Sequence, residues 1–284
     1  MKTILRTFVG CTAILFGTAC MGAVKYVPEN MKVELSLKVP GNNAVNYKLH
    51  PDKLENSYFD YEWRSDNKLP ITVFHKVEER DSCMRLTVQL TAAQDVYFNY
   101  RQLLSTGYRH DNCQFYMPGF WYRRNLRSPK KAPSFHTSDS WLVREDRLSA
   151  PLTGIFSEKE KRFMTVNRLD DFSMDALATH KEGEIILSGK TSLGFTGFEN
   201  QQGIAMLSFG FPYREAPKSY IRKLTLAPEV EAFQLMKKGE SVLLTWEIME
   251  SGADDFSDFI QHTWEHCYDT YAEFIFYSGY EASA

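Results

Sequence analysis

The chain has 284 residues, with 33 Lys and Arg against 36 Asp and Glu, a formal net charge of −3, and 43% hydrophobic and 14% aromatic content. So even a balance supplies no global field for nucleic acid or an anionic membrane, which argues against a nucleic-acid partner. The apolar content suits a sizeable core, and the length suits one large all-β domain or two small ones.

Residues 1–23 are expected to be a signal peptide. Lys2 and Arg6 form a basic start, and an uncharged run from Thr7 to Val24 carries Val9, Ile14, Leu15 and Phe16 before the small residues Gly17, Thr18 and Ala19. Cleavage after Ala19 fits. Cys20 admits lipid attachment, although Gly17 stands where a lipobox prefers Leu. The expected location is the periplasm or the outer membrane. Processing leaves Cys83, Cys113 and Cys267, an odd set that excludes a full disulfide framework. A Cys83–Cys113 bridge and buried free thiols both stay open.

From 24 to 250 the chain reads as strands. VELSLKV (33–39), ITVFHKVEE (71–79), SCMRLTVQL (82–90) and DVYFNYRQL (95–103) alternate apolar and polar residues and are rich in β-branched and aromatic types. Later runs are WLVRED (141–146), PLTGIFS (151–157), KRFMTVNRL (161–169), EIILSG (184–189), TSLGFTG (191–197), GIAMLSFGF (203–211), IRKLTLA (221–227) and SVLLTWEIM (241–249). No βαβ alternation occurs, so the expected class is all-β, a large antiparallel β-sandwich with one C-terminal amphipathic helix.

Between the strands, residues 116–154 make a long segment stiffened by Pro118, Pro129 and Pro133. From Trp121 to Arg147 it holds seven Lys or Arg against three Asp or Glu. Phe120, Trp121, Tyr122, Phe135 and Trp141 are interleaved. Long loops of this kind often carry function. Aromatic rings stack on the apolar faces of sugars while polar groups take the hydroxyls. The glycan-binding candidates are therefore Trp121, Tyr122 and Trp141 for stacking, and Arg123, Arg124, Asn125, Arg127 and Asp139 for polar contacts. His136 is a further glycan-binding candidate, with no partner that the sequence names. The competing reading is structural: the aromatics plug the sandwich edge and the arginines lie over them.

The one helix read from the sequence follows Asp254 and Asp255, which suit an N-cap. Phe256, Phe259, Ile260, Thr263, Trp264, Cys267, Tyr268 and Tyr271 recur at helical spacing. His262, Glu265 and His266 spell H-x-x-E-H, the order of inverted zinc peptidases. No third ligand follows at a useful place, and both histidines are assigned to a polar, solvated face. The expectation is no metal site and no cofactor. Asp170–Asp171 and Glu145–Asp146 are adjacent carboxylates that point to opposite faces of a strand, so no catalytic pair is assigned.

YMPGFWYRRNLRSPKKAPSFHTSDSW (116–141), TSLGFTGFEN (191–200), FGFPYREAPKSYIRKLTLAP (209–228) and SDFIQHTWEHCYDTYA (257–272) resemble the N-terminal β-supersandwich of secreted Bacteroidetes glycoside hydrolases of the six-hairpin class. In that family a linker helix follows the sandwich and leads into an α/α toroid that holds the catalytic acids. The resemblance implies that 251–272 is the linker helix, that the missing or separate toroid is a partner, and that full-length relatives act on glycans. Residues 273–284 do not continue the family pattern, so the expected reading is an accessory domain that is not catalytic alone, with truncation as one reading of the atypical tail. The alternative is a free-standing glycan-binding or cell-surface protein. Without a toroid to share its aromatic stripe, the helix region 254–284 is expected to fray or drive self-association.

Overall fold

A computed structural model of the chain describes residues 28–80, 83–126, 132–170, 182–222 and 225–277. The expected signal peptide with Ala19 and Cys20, the candidate Arg127, Asp171 and the end of the tail from 278 lie outside the described residues.

Seventeen strands and one α-helix follow in chain order among those residues. They are β1 (Met31–Lys38), β2 (Val45–Lys53), β3 (Tyr61–Arg64), β4 (Ile71–Glu79), β5 (Cys83–Ala92), β6 (Val96–Arg109), β7 (Cys113–Met117), β8 (Trp121–Arg123), β9 (Trp141–Arg144), β10 (Leu152–Ser157) and β11 (Arg162–Arg168). Then come β12 (Gly183–Ile186), β13 (Phe195–Gln201), β14 (Ile204–Phe211), β15 (Arg214–Arg222), β16 (Thr225–Met236), β17 (Ser241–Gly252) and α1 (Phe256–Tyr277).

The strands stack as a sandwich. One layer runs β2-β1-β6-β14-β13-β9. The other runs β3-β4-β5-β17-β11-β10-β7-β8. Strand β2 belongs to both: Val45–Leu49 pair with β1, and His50–Lys53 pair with β3. A smaller group, β12-β16-β15, closes one end, and its β12–β16 pairing is parallel. The expected sandwich is therefore correct, with one parallel pairing in an otherwise antiparallel body.

Period-two alternation sorts β5, β17, β11, β10 and β7 of the second layer between two apolar environments. On β17, Leu244, Trp246 and Ile248 enter the core between the layers, together with Val33 and Leu35 of β1 and Leu86 and Val88 of β5. Met249 points the other way, outside the sandwich, and joins Cys83, Tyr116, Leu152, Phe156 and Phe163 in a second cluster. Helix α1 covers that outer face with Phe256, Phe259 and Cys267. Its stripe therefore has a partner in this chain. Phe259 presses on Gly154 of β10, where an added Cβ would stand 2.5 Å from the ring. The helix begins as expected: Asp255 Oδ1 accepts from the backbone N–H of Ser257 at 2.7 Å and of Asp258 at 3.0 Å.

A histidine is fully enclosed in the inner core. His75 of β4 is 0% exposed, its Nε2 is 2.7 Å from the Tyr100 hydroxyl, and the Trp63 ring lies 5.1 Å away. Burial disfavours the charged ring and lowers its pKa from 6.5 to about 3. In the unfolded chain the ring protonates near its ordinary value, so the unfolded state takes up the proton first as pH falls. Stability from this site is complete above about pH 6.5 and declines by up to ~1.4 kcal/mol for each unit below it. Urea unfolding of wild type and His75→Gln at about pH 7 and about pH 4.5 tests this. The glutamine variant is expected to lose less stability on acidification; equal losses would contradict it.

Candidate functional site

The two tryptophans predicted to stack on a sugar are buried in the sandwich. Trp121 is 0% exposed and Trp141 is 1% exposed. Their rings sit 5.9 Å apart, and Trp121 packs on Phe198 together with Phe115 and Phe135. Each indole N–H is already used, Trp121 donating to the Arg123 carbonyl at 3.0 Å and Trp141 to the Ser138 carbonyl at 3.0 Å. Neither ring has a face for a sugar. The aromatic residues plug the sandwich end, because burial of two indoles outweighs the polar character of the surrounding loop.

The polar candidates divide similarly. Arg124 donates to the backbone carbonyls of Cys113 (3.2 Å) and Asp111 and lies over the Phe135 ring. Asn125, at a φ of 53°, donates to the carbonyls of Phe120 (3.3 Å) and Pro133 (3.0 Å) and closes the loop on itself. Asp139 accepts from the Asn200 side-chain amide at 2.7 Å, and its carbonyl lies 2.8 Å from His110 Nε2. His136 is exposed, with its backbone N–H on Ser134 Oγ at 3.2 Å. None of these meets Trp121 or Trp141 at a shared open surface.

The adjacent carboxylates are also committed. Glu145 is buried with Arg168 at 2.7 Å, Asp146 holds Arg144 at 2.5 Å, and Asp170 accepts from Arg168 at 3.0 Å. Arginine partners occupy them, so they form structural ion pairs rather than an acid–base pair.

Besides His136 and Asp139, Tyr122 and Arg123 also remain outward. Tyr122 is 50% exposed, and Arg123 follows it at a φ of 56°, a left-handed conformation unusual for a long side chain. That backbone turn lays the Arg123 guanidinium over the Phe256 ring at 5.0 Å. The β7–β8 hairpin thereby meets the helix. Tyr116 is the joint: its ring is 5.3 Å from Tyr122, 6.4 Å from Phe256 and 6.1 Å from Phe259, and its hydroxyl accepts from Trp264 Nε1 at 2.8 Å. Trp264 is 39% exposed and Tyr268 74% exposed. With Glu265 and Asp269 they line an open hollow of about 590 Å³. Loop and helix thus contribute to one exposed aromatic strip: Tyr122, Trp264 and Tyr268, edged by Arg123 and two carboxylates.

A second concavity of about 450 Å³, lined in part by Lys32, Lys48, His50 and Trp63, opens at the β1–β2–β3 edge. Trp63 is only 3% exposed there, so it offers no stacking platform.

The sequence reading placed Trp264 and Tyr268 on the apolar stripe and His266 on a solvated face, and both placements are corrected. At about 100° per residue, His266 falls within about 20° of Phe259, whereas Trp264 and Tyr268 fall about 140° and about 180° away. Counting every aromatic residue as buried shifted the apparent stripe. His262 pairs with Asp258 at 3.5 Å, but His266 reaches under the helix to Glu247 Oε2 at 2.8 Å. The H-x-x-E-H histidines therefore take different partners. Burial alone would raise the Glu247 carboxyl, but the hydrogen bond and charge of His266, with Thr270 and Arg85, bring it down to about 2. Burial, together with Glu247, pushes the neighbouring Cys83 thiol up to about 12, so it is no nucleophile at neutral pH. Cys83, Cys113 and Cys267 are all free and buried. Cys83 and Cys113 occupy opposite faces of the second layer, one under α1 and one in the inner core.

No family model matches the chain, and no curated protein does. Solved structures that match include a Bacteroides polysaccharide lyase, 14% identical with a TM-score of 0.37, over 79% of this chain and 26% of the lyase. They also include the Slr1438 protein of Synechocystis, 6% identical with a TM-score of 0.38, over 76% of this chain and 73% of that one. This chain spans about a quarter of the lyase. Such low scores carry no argument about shared activity.

If Trp121 is a core plug, Trp121→Ala should cost ~3–5 kcal/mol of stability, read as a fall in denaturation midpoint. A midpoint within about 0.5 kcal/mol of wild type would return the ring to the surface.

Proposed function

We propose that this chain is an accessory β-sandwich domain of an exported glycan-processing protein, not catalytic alone, whose hairpin–helix strip contacts the sugar chain. The observation that carries this reading is the convergence of Tyr122 and Trp264 on Tyr116, with Tyr268 exposed beside Trp264 in one hollow. Two distant segments, both inside the stretches that resemble the six-hairpin hydrolase sandwich, supply one exposed aromatic surface. Rings of this kind bind the C–H faces of pyranoses with little entropy to lose, since each has only two side-chain torsions.

The strip also suggests which glycans fit. Arg124 is spent on backbone carbonyls, and the hollow beside Tyr268 is flanked by Glu265 and Asp269. Carboxylates accept hydrogen bonds from neutral sugar hydroxyls and repel uronates and sulfates. Neutral polysaccharides are therefore the favoured ligand class. In this reading a separate helical catalytic domain works next to the same face, with α1 between the two.

Affinity electrophoresis against a panel of neutral and acidic polysaccharides tests the proposal. Retardation by at least one neutral glycan is expected, weakened about tenfold (~1.4 kcal/mol) in Tyr268→Ala, with thermal stability within about 0.5 kcal/mol of wild type. Retardation that Tyr122→Ala, Trp264→Ala and Tyr268→Ala all leave unchanged, or none by any glycan, would overturn it.

A further inference from the structure

Beneath α1, on the side away from the aromatic strip, three metal-ligating side chains from three elements converge. The β5–β17 register sets Met249 opposite Cys83 and Glu247 opposite Arg85, so Cys83 and Glu247 stand on the same outer face, diagonal to one another. Helix α1 crosses this face and lowers His266 onto it. The Cys83 sulfur, a Glu247 carboxylate oxygen and a His266 ring nitrogen all lie within 4.8 Å of one another. Cys83 is 4% exposed and Glu247 3%, while the His266 side chain keeps 21% of its surface open to solvent. The Thr270 hydroxyl donates to the same Glu247 oxygen at 3.0 Å. Arg85 approaches the other oxygen at 3.5 Å.

We propose that Cys83, Glu247 and His266 form a binding site for a divalent transition-metal ion, zinc being the ion that fits the donors. A thiolate, an imidazole nitrogen and one carboxylate oxygen make the mixed set zinc accepts at four-coordinate sites, whereas magnesium and calcium require a shell of oxygens. Zinc bonds of about 2.0–2.3 Å set tetrahedral ligands about 3.3–3.7 Å apart, so the observed spread needs closing by about 1 Å. The proton balance is simple. The Cys83 S–H proton and the His266 Nε2 proton both leave for solvent, so the ring keeps its proton on Nδ1 only and Nε2 turns from Glu247 to the metal. Thiolate and carboxylate then neutralise the two positive charges of the ion, and Arg85 keeps the second carboxylate oxygen. The fourth position opens beside His266, where the Thr270 hydroxyl can hold a water. This is not the peptidase arrangement that H-x-x-E-H suggests, because His262 is on Asp258 and takes no part. It is a clamp that fastens the helix to two strands, and it stands independently of the glycan reading.

Cobalt substitution reads the proposed thiolate directly. Untagged protein is stripped with a chelator and titrated with Co²⁺, then with Zn²⁺ in competition. The expected result is one cobalt per chain, with a thiolate-to-cobalt charge-transfer band in the near ultraviolet that zinc abolishes, and a Tm that rises on adding zinc. Cys83→Ser should lose the band and the Tm rise, His266→Gln should weaken binding at least tenfold, and Cys267→Ser should retain the band. Circular dichroism of each variant in chelator checks that it folds, and His266→Gln decides the matter if Cys83→Ser does not. No band in wild type, a band that survives in Cys83→Ser, or unchanged affinity in His266→Gln would overturn the proposal.

Discussion

The outer face of the second sheet depends on α1 lying across it. Phe259 occupies the space that Gly154 leaves open, with Phe156 6.0 Å and Phe163 4.9 Å from its ring. Beside this apolar anchor, Glu247 is a buried carboxylate that receives His266 and Thr270 from the helix and Arg85 from the neighbouring strand. Burying such a charge is tolerable only with several donors in place. The two anchors fix both the rotation of the helix and its position along the sheet.

Once that rotation is set, the exposed strip follows geometrically. A helix with Phe259, Thr263, His266 and Thr270 turned inward must turn Trp264 and Tyr268 outward. Tyr116 then links sheet and helix: it belongs to β7, packs under Phe256 and Phe259, and accepts from Trp264. The β7–β8 hairpin is thereby held against the helix, and Tyr122 comes to the same surface. The interior plug of Trp121, Trp141 and Phe198 holds the hairpin from the other side. One alternating stretch, Cys113 to Arg123, thus serves the core inward and the candidate site outward.

The sandwich was legible in the sequence because its long central strands alternate cleanly; β4 over 71–79 matches residue for residue. Strand β2 was not, since it is an edge strand with a mostly exposed polar pattern, VNYKLHPDK, and shows no apolar period. Strand β15 was hidden by Pro217 and its charges. In the basic segment the aromatics and arginines stand out, but sequence cannot tell a ring that plugs a sheet end from one that faces solvent. A signal did exist for His266: its angular position on the helix puts it beside Phe259. The Cys83–Glu247–His266 cluster had no sequence signal, because the register of β5 against β17 assembles it across more than 160 residues.

Hydrogen exchange of the full chain tests the central claim, that α1 is an integral part of the sandwich. The account predicts that amides in the buried half of the helix, around Phe259, Thr263 and Thr270, are protected as strongly as those of β17, in a monomeric sample. Helix amides that exchange at the rate of an unstructured peptide while β17 stays protected would contradict it.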